Sequence, residues 1–103
     1  AAVAHNDLMA IGMLRRFAAR GVRVPGELSV VGYDDIFGAD FCSPRLTTLA
    51  GQFDEAGRVA VDLLFDGRPR SAAEVVLPSH LVVRDSTGPA PRTAPGRTPA
   101  VRP

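Results

Sequence analysis

The chain has 103 residues, of which 46% are hydrophobic, and a formal net charge of +1. Such a composition is typical of one small soluble domain or of part of a larger one, and no apolar run is long enough to span a membrane. All twelve basic residues are arginine, so mechanisms that require a catalytic lysine are excluded. Residues 1–87 carry a net charge of −2 and residues 88–103 carry +3, which leaves no basic stripe typical of a nucleic-acid-binding surface.

The chain begins inside an apolar segment without an initiator Met, and we expect it to be a fragment whose upstream part is missing. Asn6 then predicts a helix start, and the pattern indicates a helix from Asp7 to Arg20 with Gly21 as its C-terminal stop. Residues 8–14 contain no polar side chain, which indicates a helix covered on more than one side. The second cover is either the rest of a larger monomer or another subunit, and we favour the subunit.

A second apolar run, Leu28–Val31, predicts an interior strand and is followed by two adjacent carboxylates, Asp34 and Asp35. A helix that joins two strands makes them parallel, so their carboxyl ends meet at one edge of the sheet. Asn6 and Asp34 should therefore converge where open α/β folds bind ligands. We assign Asp34 to a polar small-molecule pocket, and Asp35 to a loop brace or helix cap.

The remaining elements follow from apolar periodicity and from Gly and Pro positions. A loop with Phe41 as its anchor leads to a short β-prone segment at Leu46–Leu49. A second helix is predicted from Phe53 to Phe65, with one apolar stripe. Two strand pieces are predicted at 74–77 and 81–84, and the Pro-rich tail, 88–103, is predicted to be disordered.

The residues do not support an enzyme or a metal site. A glycosidase needs two carboxyl groups flanking its substrate, and Asp40 sits in a loop without an evident partner. His5 and His80 lack metal-ligand spacing to each other and to Cys42. Cys42 is the single cysteine and is interpreted as a small apolar residue. His5 adjoins the pocket end of its strand and either lines the pocket or forms a local hydrogen bond.

The ordered motifs resemble the LacI/GalR family of bacterial transcriptional repressors over residues 1–87. The matching segments, in chain order, are Asn-Asp-Leu-Met-Ala-x-Gly at 6–12, Val-Pro at 24–25, Ser-Val-Val-Gly-Tyr-Asp-Asp at 29–35, Leu-Thr-Thr at 46–48, Gly-Arg-x-Ala-Val-x-Leu-Leu at 57–64, Val-Leu-Pro at 76–78 and Leu-Val-Val-Arg-Asp-Ser-Thr at 81–87. They correspond to the C-terminal part of the family's effector-binding core. The resemblance implies an α/β fold, a three-layer parallel-sheet βαβ fragment of the type I periplasmic-binding-protein-like kind.

The resemblance also implies a functional assignment. Asn6, Asp34 and Phe53 would contact a small-molecule effector, a sugar or a nucleoside-like compound. The first helix and the loop after the second strand would form a homodimer interface that includes Ile11, Leu14, Arg15, Ala18, Phe41 and Cys42. No cofactor is implied.

The resemblance further implies how the chain is divided. Residues 1–48 would belong to one subdomain, 49–74 would be a helix of the other, and 75–87 would be return strands. DNA would be bound only through a helix-turn-helix in the missing N-terminal domain of a cytoplasmic protein without a membrane contact. The alternatives are a periplasmic sugar-binding protein, which a signal peptide upstream would indicate, and a sugar-processing enzyme, which turnover of a bound sugar would reveal.

Overall fold

The computed structural model describes residues 1–66 and 74–90. Within these ranges the elements are β1 (Ala2–Val3), α1 (Asp7–Ala19), β2 (Val30–Tyr33), a 3₁₀ turn (Phe37–Asp40), β3 (Thr47–Ala50), α2 (Phe53–Phe65) and β4 (His80–Val82). No helix in the described ranges has the length and apolarity needed to cross a membrane.

The sheet has the order β1-β2-β3-β4 in the described part of the chain. β1 pairs with β2 in parallel, with Val3 opposite Val31, and β2 pairs with β3 in parallel, with Gly32 opposite Thr48. β4 is antiparallel to β3. The predicted α/β class and the parallel βαβ unit are therefore confirmed, and the carboxyl ends of β1 and β2 share one edge.

A small apolar core lies between α1 and the sheet. Its buried members are Ala4, Ala10, Leu14, Val30, Ala39 and Leu46. Ile11, Met13, Phe17, Val24, Leu28 and Cys42 pack against it while remaining partly exposed. The core therefore uses residues from α1, β2, the 3₁₀ turn and the positions next to β1 and β3, and among the described residues it uses none from α2.

Helix α1 begins at the predicted residue and ends at Ala19, one residue before the predicted end. The Asn6 side chain accepts a hydrogen bond from the Met9 N–H at 2.9 Å, which satisfies one of the free donors of the first turn. Arg20 is the C-cap, and Gly21 follows with φ of 73°, a left-handed conformation that favours glycine. Helix α2 also has its predicted bounds, but it contains no buried residue.

Three local predictions are wrong. β2 lies two residues later than predicted, because the Leu28 N–H bonds the Arg23 carbonyl in the preceding turn. Phe41 does not anchor its loop: it is 70% exposed, and Ala39 is the buried residue there. No strand forms at 74–77, and β4 occupies His80–Val82 alone.

A buried serine, Ser86, links the segment after β4 to the amino ends of β2 and β3 by hydrogen bonds. The Ser86 hydroxyl donates to the Val30 carbonyl at 2.6 Å and accepts the Thr47 N–H at 2.8 Å. The Val30 N–H in turn bonds the Ser86 carbonyl at 2.9 Å. Ser86 thus fills a position between two parallel strands. Of the predicted disordered tail, residues 91–103 lie outside the described ranges, whereas the Gly88 N–H bonds the Ser29 hydroxyl at 3.2 Å.

Candidate functional site

The edge formed by the carboxyl ends of β1 and β2 carries a polar cavity. Its volume is about 380 Å³, and it is lined by His5, Asn6, Tyr33 and Asp34. The two residues that the sequence places at a common edge are therefore brought together. A second cavity of about 310 Å³ lies beside the first and shares Asp34 with it; its other lining residues are Asp35, Ala50, Gly51, Phe53, Asp54 and His80.

Asn6 and Asp34 offer complementary hydrogen-bonding groups. The Oδ1 atom of Asn6 is engaged by the helix cap, so its amide N–H groups are the donors left for a ligand. The Asp34 N–H bonds the Leu49 carbonyl at 3.0 Å. Within the described residues, no donor or cation contacts the Asp34 carboxylate. Among the described residues, this edge thus offers a ligand the two carboxylate oxygens of Asp34 as acceptors and the amide N–H groups of Asn6 as donors.

The backbone at the end of β2 is left-handed at two successive residues. Asp34 has φ of 110° and Asp35 has φ of 53°, conformations that aspartate adopts more readily than most residues but still at an energetic cost. The two aspartates therefore do not continue the strand.

Asp35 acts as a brace, as predicted, and its partner is an arginine that the sequence argument missed. Arg84 Nη2 lies 2.7 Å from Asp35 Oδ1, an ion pair whose angle is not that of an aligned hydrogen bond. The same side chain lies 3.3 Å from Asp40 and donates to the Leu46 carbonyl at 2.9 Å. Asp40 is therefore paired with arginine. The sequence signal for this role of Arg84 is its place at the end of an apolar run, Leu81-Val82-Val83.

Asp7 is the second residue whose role the sequence argument missed. It is fully buried, accepts the Thr48 hydroxyl at 2.6 Å and accepts the Ile36 N–H at 2.9 Å. A Cβ atom on Gly32 would lie 2.0 Å from its Oδ1 atom. A glycine within an apolar strand is typical of a close approach by another group, and Gly32 was the signal for this buried carboxylate.

Phe53 lies at the second cavity and is 53% exposed. Its ring covers Gly51, where an added Cβ would lie 3.1 Å from Phe53 Cζ. Phe53 and Asn6 therefore line different cavities, which Asp34 connects. In the described residues, no group of three or more His, Cys, Asp or Glu side chains could hold a metal ion.

The residues assigned to a subunit interface divide into two groups. Leu14 is 3% exposed and belongs to the core, so its assignment is corrected: its side chain packs inside this chain and leaves no surface for a partner. Ile11 and Cys42 are partly exposed, and Arg15, Ala18 and Phe41 are exposed. Phe41 stacks on Phe37 with ring centroids 4.5 Å apart, although Phe37 is itself 83% exposed.

Comparison with known proteins identifies the family. The model of the periplasmic binding protein-like domain matches residues 1–87. The transcriptional repressor CytR of Escherichia coli K12 is 38% identical over 86 residues, which cover 81% of this chain and 25% of CytR. The chain belongs to the LacI/GalR family. It spans about a quarter of the length of this curated relative.

Solved LacI-family structures share the fold. A regulator from Arthrobacter sp. FB24 in complex with lactose is 40% identical, with a TM-score of 0.75 over 84% of this chain and 34% of that one. The lac repressor dimer bound to operator is 37% identical, with a TM-score of 0.75 over 82% of this chain and 30% of that one. These relatives are transcription regulators rather than enzymes or transport proteins, so the periplasmic transport alternative is not favoured.

Proposed function

We propose that this chain is the effector-sensing and dimerising part of a LacI-type regulator, and that its effector is a neutral, hydroxyl-rich molecule, a sugar or a nucleoside-like compound. The observation that carries the proposal is the Asp34 carboxylate, which no donor or cation of the described residues contacts, on the same cavity as the Asn6 amide. A carboxylate can accept hydrogen bonds from two neighbouring hydroxyl groups, and an amide can donate to a ring or hydroxyl oxygen.

The class of ligand is supported by the chemistry of the edge and by a relative. The described residues that line the cavity include no Arg or Lys, so among them nothing would offset the repulsion between the Asp34 carboxylate and an anionic ligand. The Arthrobacter regulator of the same fold is in complex with lactose. Phe53 would contribute an apolar wall, against which the face of a sugar or base ring could pack.

The proposed mechanism is a shift between two arrangements of subdomains. Residues 1–48 would form part of one subdomain, residues 49–74, which include α2, would belong to the other, and residues 75–87, which include β4, would be the return segment. An effector that binds one arrangement more tightly shifts the equilibrium by its difference in affinity, and this changes the affinity for DNA. DNA would be bound through a helix-turn-helix outside this chain, in the cytoplasm, and the protein would catalyse no reaction.

The proposed homodimer would use the exposed side of α1 and the loop after the 3₁₀ turn. Exposed Arg15, Ala18 and Phe41 would contact the partner, together with the accessible parts of Ile11 and Cys42. Two stacked aromatic rings that face solvent, Phe37 and Phe41, favour a covered surface, because interfaces are enriched in aromatic side chains. The lac repressor structure of the same fold contains a dimer bound to operator.

The Asp34 assignment is tested by calorimetric titration of the full-length protein with lactose and, separately, with adenosine. We expect Asp34→Ala to weaken binding by about 10- to 100-fold, the value of hydrogen bonds to a charged group. Asp62→Ala is the matched control, since Asp62 lies on exposed α2 and pairs with Arg58. Equal affinity of Asp34→Ala and the control would refute the assignment, and the ligand that binds distinguishes a sugar from a nucleoside.

The dimer is tested by sedimentation of Phe41→Ser, which alters an exposed ring rather than the core. We expect this variant to sediment as a monomer at concentrations where the unchanged protein is a dimer. Phe65→Ser is the control, because Phe65 is 85% exposed at the end of α2 and outside the proposed interface. A Phe41→Ser protein that dimerises like the control would contradict the placement.

A further inference from the structure

Asp7 is a buried carboxylate that the effector proposal does not use. It is fully buried, and taking a carboxylate out of water is costly unless hydrogen bonds compensate it. Both of its oxygens are satisfied, Oδ1 by the Thr48 hydroxyl and Oδ2 by the Ile36 N–H. These donors come from β3 and from the loop after β2, so Asp7 joins the start of α1 to two separate parts of the chain.

The strand opposite leaves room for this carboxylate. Any side chain at Gly32 would collide with it, because a Cβ atom there would lie 2.0 Å from Asp7 Oδ1 and 2.9 Å from Leu46 Cδ2. Gly32 is the third residue of β2 and lies opposite Thr48 in the parallel ladder. The space that the Asp7 carboxylate occupies thus depends on the register that places Gly32 of β2 opposite Thr48 of β3.

The contacts of Asp7 and Thr48 end on the turn that carries Asp34. Asp34 and Asp35 both have positive φ, and a left-handed non-glycine residue costs roughly 1 kcal/mol or more, so the surroundings must hold it. The Ile36 N–H, directly after the pair, bonds Asp7 at 2.9 Å. The Asp35 N–H approaches the Thr48 hydroxyl at 3.4 Å. The Asp7 carboxylate and the Thr48 hydroxyl therefore hold the turn by accepting these two N–H groups.

We propose that Asp7 and Thr48 are positioning residues for effector binding: their hydrogen bonds hold the Asp34–Asp35 turn so that the Asp34 carboxylate is presented at the cavity. This inference rests on the proposed role of Asp34. Neither Asp7 nor Thr48 lines the Asn6–Asp34 cavity, so both act on the ligand only through the turn. A ligand contact made by Asp34 would then depend on a hydroxyl group in the neighbouring strand.

Two adjacent buried threonines provide a matched test. Thr48→Val removes the hydroxyl beneath the turn and keeps the shape of the side chain. Thr47→Val removes an equally buried hydroxyl in the same strand, but that hydroxyl serves the Arg84 N–H and the Thr87 hydroxyl, both at 2.9 Å. Both variants lose internal hydrogen bonds, but only Thr48→Val loses a hydroxyl that accepts directly from an N–H of the turn, that of Asp35. Thr48→Ser retains the hydroxyl and serves as the rescue variant.

In the full-length protein we expect Thr48→Val to bind the effector probe, lactose or adenosine, about three- to tenfold more weakly than Thr47→Val, the fold-change for one ordinary hydrogen bond. Thr48→Ser should bind like the unchanged protein. Without any ligand, hydrogen exchange at the Ile36 amide should be faster in Thr48→Val than in Thr47→Val. If Thr48→Val does not fold, Asp7→Asn replaces it, with the same acceleration expected at the Ile36 amide.

Two results separate failure of this inference from failure of the proposed function. Equal affinities and equal Ile36 exchange in the two valine variants overturn the positioning role, even where Asp34→Ala abolishes binding. Unchanged affinity in Asp34→Ala overturns the role of Asp34 in the effector site, and the positioning inference falls with it. Faster Ile36 exchange together with weakened binding in Thr48→Val alone supports the inference.

Discussion

The two helices in the described part of the chain are each 13 residues long and have opposite surroundings. Helix α1 packs on the sheet and buries Asp7, Ala10 and Leu14. Helix α2 has a clear apolar stripe, yet within the described residues it buries none of its side chains. Val61, Leu63, Leu64 and Phe65 are all exposed, Phe65 by 85%. The sequence therefore predicts both helices, whereas within the described residues only α1 has its apolar side chains covered.

This difference shows which part of the fold is self-supporting. The region around α1 has a small apolar core, a buried carboxylate and a serine that links two strands, all formed within the described chain. The stripe of α2 fits the proposal that this helix belongs to another subdomain, because amphipathic helices bury their apolar face against a neighbour. Substitutions should therefore be costly in the first region and nearly neutral in the second.

The largest expected contrast is between two glycines. Gly32→Ala should destabilise the chain by about 3 kcal/mol or more, since overpacking costs 1–3 kcal/mol and displacing a buried carboxylate adds to it. Gly57→Ala in α2 should stabilise it by about 0.5–1 kcal/mol, because no described atom lies within 4 Å of the new Cβ and alanine favours a helix. Denaturant unfolding measures both. Similar stability of the two variants would contradict the packing at Gly32.

The next contrast is between a leucine on each helix. Leu14→Ala should cost about 2–5 kcal/mol, because Leu14 is 3% exposed in the core and its truncation leaves a cavity. Leu64→Ala should change the free energy of unfolding by less than about 0.5 kcal/mol, because Leu64 is 71% exposed and surface substitutions have small effects. Thermal unfolding of both variants checks this. A large loss of unfolding free energy in Leu64→Ala would mean that other residues pack against α2.

The parts that the sequence predicts well are those fixed by local chemistry. Asn6 and Gly21 supply recognisable helix ends, and the bounds of α2 follow from its periodicity. The parallel direction of β1 and β2 follows from the helix between them, and it brings Asn6 and Asp34 to one cavity. Local patterns and one rule of chain connection were sufficient for this edge of the sheet.

The parts that it missed depend on partners that are distant along the chain. The hydroxyl that bonds Asp7 belongs to a residue 41 positions later, and the serine that links β2 to β3 lies 39 positions beyond Thr47. Neither pairing has a local signature. The exposed Phe41 and the buried Leu14 were misplaced for a related reason: an apolar residue in a mixed segment shows that it needs cover, but it does not show which surface supplies it.

The smallest contrast is between two exposed ion pairs, one in each region. The Arg45 side chain hydrogen-bonds Asp85 and lowers the pKa of that carboxyl, and Arg58 similarly lowers the pKa of Glu55. For a carboxyl whose pKa is lower in the folded state, the contribution to stability is present above its unfolded pKa. It is lost as the pH falls through the lowered folded value. Both contributions should therefore be present at neutral pH and disappear in acid, each with a small effect because the pairs are exposed.

Protonation of Asp85 and protonation of Glu55 should weaken different parts of the structure. Arg45 joins the strand region to the segment that carries Ser86, and its carbonyl accepts the N–H groups of Asp85 and Ser86. Arg58 and Glu55 lie in the same helix. In acid, we expect the Asp85 and Ser86 amides to lose protection against hydrogen exchange, measured relative to the intrinsic rate at each pH, when Asp85 is protonated, while protonation of Glu55 affects α2 only. NMR titration of both carboxyl groups with amide exchange measures this, and Asp85→Asn should reproduce the acid effect at neutral pH. If neither the pH change nor this substitution alters the protection of the Ser86 amide, the hydrogen bonds of Ser86 alone hold the segment.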